Sequence, residues 1–308
     1  MPLGAVSYVA PAHRECPGCG AARFDDALLM DGLSTHTCRA CGLILSSIVR
    51  RTPKVGQYAN VDLRAYLRSV GAVRDEQSTA ILSWLRPHLR PAARVLDVGC
   101  GFGSFLKRAR DMGCAVSGIE PDPDACAGAC QLLGEGVVER GTLQHANVPA
   151  GSADVVASLD VLEHVPPEEH AAFARAITHV LVRGGLWVIK IPSTEGLYYR
   201  LSLLTTRVAP AIGGVLMRRL WQTDYEFPHT VYFNRASLEM WLKRHGFAVV
   251  DTCYLPEVPI RTVIDRLTHD GDIKRAQAYA LVPAVAVINA IERVRCRSDA
   301  LVVLARRA

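Results

Sequence analysis

The sequence predicts an α/β fold in which a doubly wound, largely parallel sheet carries helices on both faces. One observation predicts this sheet, and a second predicts a separate module before it. From Arg94 onward, short apolar runs alternate with helical segments of about 10–15 residues, which is the pattern of βαβ units. Before that point, two cysteine pairs stand at matched spacing, which indicates a small metal-binding module. We expect this module over 1–52, a helical connector over 53–92 and the sheet domain over 93–308.

Composition sets limits on the class of protein. The chain has 308 residues, of which 50% are hydrophobic and 21% charged, so it can form one large core and a small extra module. The N-terminus lacks the basic start and long apolar run of a signal peptide. The uncharged stretch 276–291 is broken by Pro283, is shorter than the roughly 20 residues of a membrane span and is expected to be core. We expect a soluble, cytoplasmic protein, and the net charge of +5 permits an anionic partner without requiring one.

Four cysteines near the N-terminus have the spacing of metal ligands. Cys16 and Cys19 form one CxxC pair, Cys38 and Cys41 form another, and a glycine follows each pair. The 18 residues between the pairs match a four-cysteine zinc ribbon, in which each turn presents two thiolates to one tetrahedral ion. A site with four protein ligands is closed. We therefore expect a structural zinc that supports the module without touching the chemistry.

The connector is charged at first and then amphipathic. Ile81, Leu82, Leu85 and Leu89 recur at helical spacing, and Pro91 follows them. This pattern predicts a helix that docks on the next domain and ends before Pro91.

Three glycines follow the first strand of the sheet domain. The run Val95 to Val98 predicts a strand, and a helical pattern begins near Ser104. Gly99, Gly101 and Gly103 stand between the two, where backbone can approach a ligand closely at the carboxyl end of the strand. Glu120 ends the next strand, where a carboxylate can accept hydrogen bonds from both hydroxyls of a ribose. These residues predict a nucleoside cofactor.

The spacing of the turn distinguishes between two nucleoside cofactors. The glycines follow G-x-G-x-G rather than the G-x-G-x-x-G of dinucleotide-binding turns, and Asp97 stands two residues before the first of them. A carboxylate is unfavourable beside a pyrophosphate but favourable beside a sulfonium and an amino group. The turn therefore favours S-adenosylmethionine over NAD.

Two segments resemble the class I S-adenosylmethionine-dependent methyltransferases. "VLDVGCGFGSFL" is similar to their first motif, "DVVASLDVLEHV" is similar to their fourth-strand motif, and the resemblance runs from Arg94 to the C-terminus. It implies that the glycines line the cofactor, that Glu120 holds the ribose and that Asp160 reaches the methionine end. Many relatives bind the adenine amino group with an acid, whereas "GTLQH" offers Thr142 and Gln144 here. The expected cofactor-binding residues are Asp97, Gly99, Gly101, Gly103, Glu120, Pro121, Thr142, Leu143 and Asp160.

The second half completes the expected sheet. A helix from about Ala236 ends at Gly246 and a strand follows, while 300–307 predicts a last strand that the resemblance places antiparallel beside the fifth. Two long connections, 193–234 and 256–299, interrupt the pattern. Both should leave the edge of the sheet where the cofactor lies, so we expect them to form a helical substrate cap.

The first of these connections is strongly basic. Between Gly196 and Thr223 it contains Arg200, Arg207, Arg218 and Arg219 and no acidic residue. One interpretation is a surface for an amphiphilic, anionic acceptor such as a phosphorylated sugar, a nucleotide-linked sugar or a lipid-linked glycan. The other is a helix pair whose basic face meets solvent.

The segment "DYEFPHTVYF" holds the candidates for acceptor chemistry. It resembles the P-E-H-x-x-x-F segment of zinc-ribbon methyltransferases and their relatives, including sugar C-methyltransferases, although Pro228 occupies the place of the acid. His229 and Tyr225 are the expected contacts to the acceptor, with His164 as a further candidate base. Imidazole can accept a proton near neutral pH, whereas His229 could instead only anchor the cap.

Three functions agree with these patterns. The first is methyl transfer from S-adenosylmethionine to a small molecule, such as a saccharide, a glycolipid or another secondary metabolite. The second is RNA methylation, for which the ribbon interval 20–37 contains Arg23 against Asp25, Asp26 and Asp31, so no nucleic-acid partner is expected. The third is a non-catalytic cofactor-binding protein with a docking ribbon, which the intact glycine turn disfavours. No transmembrane span is expected, and peripheral membrane contact and the oligomeric state stay open.

Overall fold

The computed structural model describes residues 15–30, 32–48, 67–223, 225, 227–268 and 273–308. Asp31 and the connector residues 53–66 lie outside these ranges. The strands are β1 (Phe24–Met30), β2 (Leu33–Cys38), β3 (Ile44–Ser46), β4 (Arg94–Val98), β5 (Ala115–Glu120), β6 (Val138–Arg140), β7 (Ala153–Leu159), β8 (Leu181–Pro192), β9 (Val231–Tyr232), β10 (Phe247–Leu255) and β11 (Ala300–Arg307). The helices are α1 (Ala72–Leu85), α2 (Ser104–Asp111), α3 (Pro123–Leu133), α4 (His170–Val180), α5 (Leu197–Val208), α6 (Pro210–Trp221), α7 (Arg235–Arg244), α8 (Val263–Thr268) and α9 (Arg275–Arg295).

The larger sheet has seven strands in the order β6, β5, β4, β7, β8, β11 and β10. The strands from β6 to β8 are parallel, and β11 is antiparallel to both β8 and β10. The prediction of a doubly wound α/β sheet is confirmed, as is the antiparallel last strand. The strand order reverses between β4 and β7, and in such sheets ligands bind at the carboxyl ends beside this switch point.

Helices cover both faces of this sheet. On one face, Phe173 and Ile177 of α4 and Trp241 of α7 pack in one core with Trp187 of β8. On the other face, the apolar side of α1 packs with α2 against β4, β7 and β8. Ile81, Leu82 and Leu85 of α1 are buried there, as their helical spacing predicted.

The cysteine-bearing module contributes to a second sheet, in the order β1, β2, β3 and β9. Its last strand comes from the end of the first long connection, because Ile44 pairs with Tyr232 and Leu45 with Val231. Leu45 is also buried in the same core as Trp241. So small a module can bury little apolar surface alone, and here it completes its sheet and core with the larger domain.

The two long connections form helices beside the sheet edge. The helices α5 and α6 pack closely on each other, and a Cβ at Gly213 would clash with the amide nitrogen of Thr206. The second connection forms α8 and the 21-residue α9. The expectation that 276–291 is core is wrong, because the buried residues of α9 are spaced seven apart and form one narrow stripe. These residues are Ala278, Val285 and Glu292. Among the described residues, no helix is long and apolar enough to cross a membrane.

Candidate active site

A cavity of about 650 Å³ lies between the carboxyl edge of the sheet and the cap. Its volume falls within the range of about 300–1,000 Å³ that is usual for small-molecule sites. The sheet edge contributes most of the cofactor residues that the sequence predicted, and both long connections contribute further lining residues. From the predicted set these are Gly99, Gly101, Glu120, Pro121, Thr142, Leu143 and Asp160, and from the connections Arg219, Gln222, Tyr225, Phe227, Val258, Arg266 and Leu267.

The glycine turn after β4 brings backbone to the floor of this cavity. Gly99 and Gly101 have φ values of 72° and 53°, which L side chains rarely adopt. Gly103 lies away from the cavity. It lines neither the cavity nor a smaller recess of about 60 Å³ below the turn. A Cβ at Gly103 would lie 2.9 Å from the side chain of Leu133, so this glycine allows α2 to pack against α3.

Glu120 is fixed in orientation by the turn. One carboxylate oxygen accepts a 2.7 Å hydrogen bond from the amide of Gly101, and the other accepts one of 2.8 Å from the amide of Asp122. Burial raises the pKa of Glu120, and these two amides oppose the shift. A carboxylate has about four acceptor positions, so Glu120 keeps positions for two hydroxyl groups.

Asp97 lies below the turn in a recess of about 60 Å³, which it shares with Asp160 and Lys190. Its Oδ1 is buried and accepts no hydrogen bond from the described residues. Burial and the charge of Glu120 raise the pKa of Asp97 well above its ordinary value, while Arg74 opposes the shift. An unsatisfied buried carboxylate oxygen is costly, so this atom is suited to a ligand that carries N–H donors and positive charge.

Asp160 follows β7 and meets a buried lysine. Its φ of 59° is a left-handed conformation that is uncommon for a residue with a side chain. The Nζ atom of Lys190 donates to both carboxylate oxygens at 2.6 and 2.9 Å and lies 3.1 Å from Glu257. Burial alone would raise the pKa of Asp160, but the charges of Lys190 and Arg74 lower it. Asp160 is therefore a paired, ionised carboxylate at the boundary between the recess and the cavity.

Arg74 and Lys190 are site residues that the sequence analysis missed. Arg74 lines both the recess and the cavity, and its Nε lies 3.8 Å from a carboxylate oxygen of Asp160. The sequence holds one hint of Lys190, since a lysine in the apolar run "LWVIKIP" requires a buried partner. The sequence gives no indication of Arg74, because this residue reaches the site through the packing of α1 across the sheet edge.

Of the predicted acceptor residues, His164 and Tyr225 line the cavity. The Nδ1 atom of His164 lies 3.3 Å from the carbonyl oxygen of Pro228. A carbonyl can only accept, so Nδ1 donates, and whenever the ring is neutral Nε2 holds its lone pair. This tautomer makes His164 suitable as a base.

His229 lies behind His164 and does not line the cavity. It is 5% exposed, its ring centre is 4.8 Å from that of His164, and its Nδ1 lies 3.2 Å from the hydroxyl of Tyr232. Burial, together with the charge of His164, lowers the pKa of His229 far below its ordinary value. His229 is thus a neutral, buried neighbour of the cavity histidine.

Glu163 completes this cluster and was not predicted. Its side chain is buried, its Oε2 has no hydrogen-bond partner among the described residues, and burial and Asp160 raise its pKa well above the ordinary value. Its carbonyl accepts from the amide of Thr230 at 2.8 Å. The turn after β7 is therefore tied to the segment that carries His229.

The four predicted metal ligands are brought together. The Sγ atoms of Cys16 and Cys41 lie 3.6 Å apart, as do those of Cys19 and Cys38, and all four lie within 4.8 Å of one another. A tetrahedral zinc with Zn–S bonds of about 2.3 Å requires sulfurs about 3.8 Å apart. The cluster therefore has the size of a Cys₄ zinc site.

The module that holds these cysteines contacts the acceptor side of the cavity, which the sequence did not predict. The amide of Ser46 donates to the carbonyl of Thr230 at 3.0 Å, and its hydroxyl lies 3.3 Å from the carbonyl of His229. The side chain of Asn234 donates to the carbonyl of Cys41 at 3.0 Å. The cysteine-bearing module thus supports the segment behind His164.

Comparison with known proteins agrees with this geometry. Residues 71–252 match the sequence model of a family described as a methyltransferase domain. Over 105 residues, 33% of this chain and 32% of the relative, the chain is 35% identical to a 2-methyl-6-phytyl-1,4-hydroquinone methyltransferase of Synechocystis. It is 28% identical over 208 residues to a ubiquinone biosynthesis O-methyltransferase of Xanthomonas axonopodis, covering 66% of this chain and 82% of that protein.

The extent of these matches varies. The chain spans about a third of the Synechocystis relative and 47% of a ubiquinone biosynthesis O-methyltransferase of Burkholderia pseudomallei that is 34% identical. Among solved structures, it is similar to a SAM-dependent methyltransferase of Archaeoglobus fulgidus with 20% identity and a TM-score of 0.49, covering 76% of this chain and 94% of that one. The family match extends over more than half of the chain and includes the glycine turn, Glu120 and Asp160. The chain belongs to the methyltransferase domain family, as the class I S-adenosylmethionine-dependent motifs in its sequence predicted.

Proposed function

We propose that this chain transfers the methyl group of S-adenosylmethionine to a small-molecule acceptor held under the cap. The observation that carries the proposal is the unsatisfied, buried Oδ1 of Asp97, which is near enough to the fixed carboxylate of Glu120 for the Glu120 charge to raise the pKa of Asp97. A nucleoside with a positively charged amino acid tail supplies the hydroxyl and ammonium groups that these two carboxylates need.

The residues of the sheet edge fit this cofactor along its length. Glu120 would accept from the ribose hydroxyls and Asp97 from the amino group, while Arg74 would bind the carboxylate. Thr142 and Leu143 line the cavity beyond Glu120, where the adenine would lie. When bound, S-adenosylmethionine supplies an electrophilic methyl group, so the main work of the protein is to position the acceptor.

The lining of the cavity below the cap supports an acceptor with an apolar body and an acidic group. Val161, Val165 and Phe227 provide apolar surface, and Arg219 and Arg266 line the same cavity. The names of two matched relatives specify a hydroquinone and ubiquinone biosynthesis. Phenolic acceptors with an acidic group are therefore the first class to test, together with anionic saccharides and glycolipids.

We assign proton removal to the Nε2 atom of His164. The carbonyl of Pro228 fixes the tautomer of this ring, and His229 packs against it from behind. His229 is in this proposal a positioning residue, because its ring is buried away from the cavity. Tyr225 lines the cavity and would contact the acceptor.

We further propose one zinc ion per chain, bound by Cys16, Cys19, Cys38 and Cys41. Four thiolates leave no open position on a tetrahedral zinc ion, so this metal would be structural. Its effect on the reaction would be indirect, through the contacts of Ser46 with the segment behind His164.

Calorimetry with the purified protein tests the central proposal. We expect S-adenosylmethionine to bind and NAD to give no heat. Glu120→Ala should weaken binding by about 1–3 kcal/mol, the usual range for hydrogen bonds to a charged group, which is about 5- to 150-fold. The matched control is Glu135→Ala, which removes an exposed acid elsewhere. Binding of NAD without binding of S-adenosylmethionine would refute the proposal.

Methyl transfer is then measured directly. Protein, S-adenosylmethionine labelled in its methyl group and each candidate acceptor are incubated together, and label is sought in the extracted acceptor. We expect transfer to at least one acidic phenol, saccharide or glycolipid. Cofactor binding with label retained by S-adenosylmethionine for every class would argue against the proposed acceptor.

A further inference from the structure

The cap carries apolar side chains that face away from the core. On α5 and α6, large apolar residues are exposed along one hairpin, and α9 exposes more of them around most of its circumference. The α5 and α6 residues are Leu201, Leu204, Val208, Ile212 and Val215, and those of α9 are Tyr279, Leu281, Val287, Ile291 and Val294. We call these three helices the cap surface. Monomeric soluble proteins rarely expose so many large apolar side chains together.

The charges on the cap surface are of one sign. Exposed basic residues stand on all three helices or directly beside them: Arg200, Arg207, Arg218, Lys274 and Arg293. Arg275 and Arg297 are exposed as well, but they are paired with Asp265 and Glu195. Within 197–221 and 273–297, the one acidic residue is Glu292, and it is 3% exposed. Its carboxylate is occupied inside the protein by the amide of Leu197 and the hydroxyl of Ser298. The exposed cap surface is therefore apolar and cationic.

The cap surface is attached to the wall of the cavity. The side chain of Asn289 on α9 donates to the carbonyl of Val258 at 3.0 Å, and Val258 lines the cavity. The helix α8 packs against α9 and contributes Arg266 and Leu267 to the same wall. The C-terminal end of α6 contributes Arg219. Whatever covers this surface therefore lies next to the acceptor cavity.

We propose that the cap surface docks on an anionic phospholipid bilayer, with α5, α6 and α9 lying in the plane of the interface. Interfacial helices combine apolar residues, which enter the headgroup region, with basic residues, which attract anionic lipids.

Charge favours a bilayer over a second copy of the chain. In a symmetric dimer through this surface, the arginines of one copy would face those of the other, since no exposed acid of these helices could pair with them. Anionic headgroups would neutralise the same residues. The proposal does not depend on methyl transfer, because docking needs neither cofactor nor acceptor.

Vesicle sedimentation with the full-length protein tests the proposal. Wild-type protein is mixed with sucrose-loaded vesicles of phosphatidylcholine alone, or of phosphatidylcholine with about 30% phosphatidylglycerol, and the bound fraction is measured by centrifugation. We expect binding to the anionic vesicles that weakens as salt is raised, because screening reduces attraction to the headgroups. Val287→Glu with Val294→Glu should lower the partition coefficient about tenfold or more, since both residues are exposed on α9 and acids oppose docking.

The control places the same charges elsewhere. Met112→Glu with Leu132→Glu changes two exposed apolar residues outside the cap surface and should bind vesicles as the wild type does. Equal thermal unfolding midpoints of the two variants would show that both are folded. Failure of the wild type to bind anionic vesicles, or equal binding by the two double variants, would overturn the proposal. Sedimentation equilibrium provides a second test. A wild-type dimer that is dissociated by the double substitution Val287→Glu and Val294→Glu would also overturn the proposal.

Discussion

Replacing Asp97 by asparagine should change cofactor affinity and stability in opposite directions. The Oδ1 atom of Asp97 is buried without a donor, and burial and Glu120 raise the pKa of this carboxyl. A charge-assisted hydrogen bond to the cofactor contributes about 1.5–3 kcal/mol, whereas a neutral amide oxygen contributes about 0.5–1.5 kcal/mol. The difference of about 1–1.5 kcal/mol predicts that Asp97→Asn weakens S-adenosylmethionine binding about 5- to 12-fold.

In the absence of cofactor, the same substitution should stabilise the protein. It removes a buried carboxyl group whose ionisation is disfavoured and whose cost is of the order of 1 kcal/mol or more, which corresponds to a rise of about 2 °C in the thermal midpoint at pH 7. Calorimetry measures the affinity, and thermal unfolding followed by circular dichroism measures the midpoint. The control is Asp111→Asn, an exposed partner of Lys107 that should alter neither quantity much. Unchanged affinity, or a loss of both affinity and stability, would refute the assignment of Asp97 to the cofactor.

Three further predictions concern the cysteine-bearing module, the proposed base and the cap. Cys38→Ser should reduce bound zinc from about one equivalent, which metal analysis would measure. The same variant should lower kcat/KM for the acceptor with little effect on cofactor affinity, because Ser46 of this module contacts the segment behind His164. Equal losses of acceptor kcat/KM and of cofactor affinity would contradict an effect that passes through Ser46. His164→Ala should lower kcat about 100-fold or more while calorimetric cofactor affinity persists; unaltered turnover would exclude it as the base. Burial and Glu292 raise the pKa of Asp299 to about 8. This pKa lies above that of an aspartate in the unfolded chain. The contribution of Asp299 to the free energy of unfolding is therefore fully present below about pH 4 and is lost as pH rises through about 8. Between about pH 4 and pH 8, the thermal midpoint of the wild type should therefore fall relative to that of Asp299→Asn. If the midpoints of the two proteins change with pH in parallel, Asp299 is not the group responsible.

Much of the fold could be predicted because it depends on local patterns. Apolar runs alternating with helical segments specified the doubly wound sheet, and the last strand was placed correctly at 300–307. The two CxxC pairs identified four sulfurs that the structure brings within 4.8 Å. The glycine turn and Glu120, which line the cavity, could be proposed as cofactor residues because strand, turn and acid follow one another at fixed spacing in a βαβ unit.

The rest depends on contacts between distant segments. Arg74 and Lys190 meet Asp160 because α1 and β8 pack beside the same strand end, and nothing in their local sequence encodes this meeting. His229 was expected at the acceptor, but the pairing of β3 with β9 holds its segment behind His164.

The length and apolar composition of 276–291 predicted a core helix, yet α9 is buried along one stripe alone. The strands, the turns and the candidate cofactor residues could be predicted from local sequence, because they follow from short-range sterics, periodicity and fixed spacing. Which side chains share a cavity, and which apolar face stays uncovered, was decided by tertiary packing, because burial is a property of whatever element lies opposite.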